Sequence, residues 1–84
     1  MMELCMYTIW DAKAEAYQQP FFAVNNNVAI RMLQSAVNDP GTELNKHPED
    51  FSLFVLGKFD LLEGKLTLSN LAVIAKAHEI KETL

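Results

Sequence analysis

An 84-residue chain has room for one domain, residues 1–84, and with 50% hydrophobic residues it can pack a core rather than stay disordered. The formal charge of −4 is spread evenly, with three basic and five acidic side chains in residues 1–48 and four and six in residues 49–84; neither half is a basic arm suited to nucleic acid or anionic lipid. The one cysteine, Cys5, excludes an internal disulfide and fits a reducing compartment, no signal-peptide pattern opens the chain, and no run approaches the roughly 18 apolar residues of a membrane span.

Residues 3–10, Glu-Leu-Cys-Met-Tyr-Thr-Ile-Trp, predict a buried strand. Leu4, Met6, Thr8 and Trp10 point one way and Cys5, Tyr7 and Ile9 the other. Both faces are mostly apolar, so this strand belongs in the middle of a sheet. Residues 11–20 read as a connector, and Pro20 opens a short strand, Phe21 to Val24.

Asn25, Asn26 and Asn27 offer an N-cap to a helix from Val28 to Asn38. Ala29, Leu33, Ala36 and Val37 form its apolar stripe, with Met32 beside it, and Asp39-Pro40-Gly41 ends it. Thr42 to Asp50 reads as a polar loop. Phe51 to Phe59 is a strand, with Phe51, Leu53 and Val55 on one face, Phe54 and Leu56 on the other, and Gly57 marking a bulge. Leu61-Leu62-Glu63-Gly64 turns the chain into a further strand, Lys65 to Leu68. Leu71, Ile74, Ala75 and His78 recur at helical spacing and predict a last helix over residues 71–82, a strand from Leu71 to Ile74 being the alternative. The sum is an α+β fold: a small antiparallel sheet of about four strands with one or two helices in a single layer upon it.

The reactive side chains do not assemble into a catalytic pattern. Cys5 stands in an apolar run, where a thiol is inert. His47, Glu49 and Asp50 put one imidazole and two carboxylates in a loop, short of a convincing metal set, and the simpler reading is a solvated histidine beside a turn-capping carboxylate. His78 reads as a surface or half-buried side chain. The three glycines stand apart, so no phosphate cradle forms. No enzyme, cofactor or metal is expected.

Asp11, Lys13, Glu15 and Tyr17 make a charged segment next to Phe21 and Phe22. Such a segment can stack and neutralise single-stranded nucleic acid, or it can be core aromatics with a solvated charged edge, which the acidic net charge favours. Trp10 reads as core or dimer interface before it reads as a stacking platform.

Three segments together resemble a known family. Asp11-Ala-Lys-Ala-Glu-Ala-Tyr-Gln-Gln-Pro-Phe-Phe22 is similar to the Asp-x-Lys-Ala-x-Ala-Tyr-x-x-Pro-Phe signature of the small nonstructural proteins of gokushoviruses, bacterial microviruses with circular single-stranded DNA genomes. Ala29-Ile-Arg31 with Asn38-Asp-Pro40, and His47-Pro-Glu-Asp-Phe-Ser-Leu-Phe-Val-Leu-Gly-Lys-Phe-Asp60, resemble the same family in order and spacing. The resemblance covers residues 3–68, and the tail from Ser69 departs from it.

The resemblance implies a viral accessory protein in the cytoplasm of an infected bacterium, binding single-stranded DNA or assisting genome synthesis or packaging. Lys13, Tyr17, Phe22, Arg31 and Lys46 are the nucleic-acid candidates, of which Lys13, Tyr17 and Arg31, together with Phe21, match the family's motif positions. The alternative is a protein-interaction module, a homodimer or small homo-oligomer that docks on a viral or host replication or capsid component, without membrane contact. Acidity and small size motivate it. A basic groove lined by Tyr17 or Phe22 would favour DNA.

Overall fold

The structure, a computed structural model, describes residues 2–81. Five strands form one antiparallel sheet: β1 (Glu3–Asp11), β2 (Ala16–Tyr17), β3 (Phe21–Ala23), β4 (Phe51–Asp60) and β5 (Lys65–Lys76). Between β3 and β4 lie α1 (Asn26–Val37), a single turn α2 (Glu43–Lys46) and a 3-10 turn, Pro48–Asp50; a last turn, α3 (Ala77–Ile80), follows β5. The spatial order is β2-β1-β4-β5, with β3 also on the outer side of β1. The α+β expectation holds, with five strands where about four were foreseen.

The central position expected for β1 follows from its sequence. It pairs with β4 along its whole length on one side and with β2 and β3 on the other. A strand enclosed in this way needs apolar side chains on both faces, and β1 has them.

The helices cover one face of the sheet. Tyr7, Leu53 and Ala23 pack with Ala29 and Leu33 of α1, and Cys5, Ile9, Phe21 and Val55 surround them. Val37, Phe51 and Ala77 form a second cluster beside the first. Among the described residues the largest fully buried side chains are Tyr7, Leu33, Leu53 and Val37. These four form a thin core between the sheet and the helices; on the other face Met6 and Thr8 are buried at the centre of β1.

The expected cap is formed. Asn25 is extended, and its side-chain oxygen accepts from Val28 N–H at 2.9 Å. The helix begins two residues earlier than predicted, because Asn26 and Asn27 complete its first turn. Asn26 has another role: Tyr7 Oη donates to its Oδ1 at 2.8 Å, tying the helix start to the central strand.

Three sequence expectations are corrected. The connector 11–20 is a hairpin, since Ala16–Tyr17 pairs with Trp10 and Asp11. The loop 42–50 is largely helical turn. Thr42 caps α2 by accepting from Asn45 N–H at 3.1 Å, while Asn45 Nδ2 donates to the Val37 carbonyl at 3.0 Å. Of the two readings of residues 71–82 the alternative, a strand from Leu71 to Ile74, holds: the chain is strand as far as Lys76 and helix only from Ala77 to Ile80, and Glu82 lies outside the described residues.

The last error has a physical cause. β5 departs from regular pairing with β4 twice, once beside Ile74 and once across Ser69 to Leu71. Each irregularity inserts residues and shifts the phase of the alternation. Two phase shifts in one strand turn a period of two into a spacing that imitates a helix.

Candidate binding face

Among the described residues no helix covers the other face of the sheet. Residues directly opposite one another in a sheet share a face, so the register identifies its members. Met6 lies opposite Phe22 and Gly57, Leu4 opposite Phe59, Thr8 opposite Phe54, and Trp10 opposite both Tyr17 and Ser52. On β5, Leu66 is opposite Phe59, Leu68 opposite Gly57, Val73 opposite Phe54 and Lys76 opposite Ser52. Leu56 sits at the bulge and lines the same surface as Leu71.

The face is aromatic at its centre and aliphatic towards β5. The rings of Trp10 and Tyr17 are 4.7 Å apart, those of Tyr17 and Phe54 5.9 Å in an edge-on arrangement, and those of Phe22 and Phe59 6.1 Å. Tyr17, Phe22, Leu66, Leu71 and Val73 are each 44–49% exposed and Leu68 is 70% exposed. Contiguous exposure on this scale marks interaction surfaces on soluble domains. Thr8, 2% exposed, is the polar group beneath; its hydroxyl donates to the Gln18 carbonyl at 2.7 Å, so nothing polar is stranded there.

A groove of about 240 Å³ crosses the face, lined by Thr8, Tyr17, Gln18, Pro20, Leu56 and Leu71. No charged side chain lines it. No carboxylate belongs to the strand positions of this face, because Glu3, Asp11 and Asp60 are paired in the opposite phase. Its one strand cation is Lys76, at the rim.

The five nucleic-acid candidates divide. Tyr17 and Phe22 share the open face. Arg31 is exposed on α1 and Lys46 closes α2, both in the helical layer. Lys13 lies in the β1–β2 turn, where it lines a separate cavity with Asp11, Glu43, His47, Asp50 and Phe51. Three carboxylates beside that lysine make a poor phosphate site. The reading of Tyr17, Phe21 and Phe22 as core holds for Phe21, which packs on Tyr7 at 5.7 Å; Tyr17 and Phe22 point to the open side. Phe54, Phe59 and Leu71 also belong to the site: alternation in residues 51–59 gives Phe54, while the bulges take Phe59 and Leu71 out of the expected phase.

The titratable groups expected to be inert are placed as follows. Cys5 is half-buried on the helical side, its Sγ 3.9 Å from the Val24 carbonyl. His47, Glu49 and Asp50 each present a ligand atom within 4.8 Å of the others, with His47 Nδ1 3.9 Å from Glu49 Oε1. They number three, two of them exposed, which is fewer than a structural zinc site uses. Burial pushes the Tyr7 phenol well above its ordinary pKa, and the neighbouring Cys5 adds to the effect. Among the described residues no helix is long and apolar enough to cross a membrane.

Fold and face together define a small α+β module with a helix layer on one side and a bare, aromatic sheet surface on the other. The chain belongs to the phage ORF5 protein family, whose pattern matches residues 4–80. The match runs past Leu68 and takes in β5 to its end, so the tail is part of the family's domain. No curated protein and no solved structure matches the chain.

Proposed function

We propose that this phage protein acts by association rather than by chemistry, docking a protein through the open face of its sheet. One observation carries the reading. The face is aromatic and aliphatic, free of carboxylates at its strand positions, and carries a single rim lysine. Depletion of charge with enrichment of aromatic side chains is the signature of a protein interface core. The groove beside Tyr17 is apolar where a DNA site would be basic. In keeping with the resemblance to gokushovirus nonstructural proteins, we put the association in the cytoplasm of the infected bacterium.

The ring row Trp10, Tyr17 and Phe54 supports a second reading, single-stranded DNA stacked on the sheet. With Lys76 as the only strand cation there, such binding would depend weakly on salt, with a log–log slope no steeper than about −1. Fluorescence anisotropy of a labelled single-stranded oligonucleotide, at several salt concentrations, separates the two. Protein docking predicts no binding even at low salt. Binding that Tyr17→Ala and Phe22→Ala abolish, and that Arg31→Ala and Lys46→Ala leave intact, would replace it with the DNA reading.

A further inference from the structure

We infer that the occupant of the open face is a second copy of this chain, packed face to face about a two-fold axis so that two sheets enclose a second core. The inference rests on the reading of that face as a protein-docking surface and names its partner.

Area is the first argument. The molecule measures 44 × 25 × 19 Å, and β4, at 10 residues, runs for about 33 Å along the longest of these. Four strands abreast, at about 4.8 Å each, make the sheet about 19 Å wide, so the face offers on the order of 600 Å², comparable with the about 800 Å² that each partner buries in a standard interface.

Charge is the second. A two-fold contact sets each patch against its own copy, so any like charge within it opposes itself. This protein carries 11 acidic residues, yet none stands at a strand position of the open face, and Lys76 is at the margin. The surface is free of the groups that would forbid self-contact.

The third argument is the thinness of the existing core. Helices cover one side only, and Phe54, Leu56 and Trp10 are left half-buried on the other. A chain of this length buries too little surface to be stable with ease. Packing a second sheet about 10 Å away, strands roughly aligned, encloses these side chains as in a sandwich.

The edge of β5 is a poorer contact than its face. The two irregularities in β5 and the lysines at its ends, Lys65 and Lys76, are devices that deter edge pairing. The face carries no such guard.

Sedimentation equilibrium of the full chain over a range of concentrations tests the inference. The expected species has twice the 9.5 kDa chain mass. Phe22→Lys with Leu71→Lys places charges at positions already 44% and 46% exposed, so the protomer should still fold, as circular dichroism would verify. This double variant is expected to be monomeric, while Met32→Lys, on exposed α1 surface, remains dimeric. A monomeric wild-type chain, or a dimer indifferent to the double variant, would overturn the inference. In the monomeric case, wild-type chain that captures a purified capsid or replication protein of the same phage, where the double variant does not, would leave the docking reading standing. Capture of neither would end both.

Discussion

Tyr7 is fully buried at the centre of β1 and spends its one donor on Asn26. Its phenol has a raised pKa in the folded chain and ionises near 10 when unfolded. The unfolded state therefore loses its proton first. The resulting stabilisation is complete below about pH 10 and disappears as pH rises from there towards the folded value. Tyr7→Phe is expected to cost about 1 kcal/mol at pH 7, from the lost hydrogen bond, and to flatten the alkaline fall; urea unfolding at pH 7 and in the alkaline range reads both. Gly57 tests packing at the same scale. A Cβ there would stand 2.3 Å from the Thr67 carbonyl oxygen and 2.9 Å from Leu68 Cα, both backbone atoms that cannot turn aside. Gly57→Ala is expected to lower stability by about 1–3 kcal/mol, measured by thermal unfolding. The sequence signalled that glycine as a bulge, and β4 does slip its register there. Nothing in the sequence could show the hydrogen bond from Tyr7, because its partner lies 19 residues away.

At the scale of elements, the two hairpins share one loop design. Asp11 Oδ1 accepts from Lys13 and Ala14 N–H at 3.0 and 3.2 Å, and Asp60 Oδ1 accepts from Leu62 and Glu63 N–H at 2.9 and 3.2 Å. Four residues after each aspartate the backbone turns left-handed, at Gly64 with φ 66° and at Glu15 with φ 56°. Glycine made the second hairpin legible in the sequence. A glutamate in the same role concealed the first, which therefore read as a connector. Glu15 bears a conformational cost that Gly64 does not. Glu15→Gly is expected to raise stability by about 0.5–1 kcal/mol, and Gly64→Ala to lower it by about 1 kcal/mol, both read from denaturant midpoints. The helix α1 was legible because cap, stripe and stop agreed, and Asn25→Ala is expected to cost about 1 kcal/mol. β5 was legible only in part, as the strand from Lys65 to Leu68 and the alternative strand from Leu71 to Ile74, because its bulges broke the alternation that identifies a strand.

For the whole molecule, the sequence pointed to the α+β class, but not to which apolar side chains would be left uncovered. Alternation assigned β1 residues to two faces without saying which one the helix would take. The stacking residues and the cations proposed for DNA are close in sequence or alike in chemistry, yet the fold sends Tyr17 and Phe22 to one side and Arg31 and Lys46 to the helical layer. That separation depends on long-range pairing and lies beyond local pattern. It favours the proposed apolar docking face over a basic nucleic-acid site.

Trp10 is the only tryptophan and lies on that face against Tyr17, so its emission reports the surface itself. Acrylamide quenching of Trp10 across a dilution series is the most direct test. The account predicts a tryptophan shielded at high concentration that becomes more accessible on dilution, with Phe22→Lys/Leu71→Lys accessible throughout. Quenching that is the same at every concentration, and the same in wild type and variant, would contradict it.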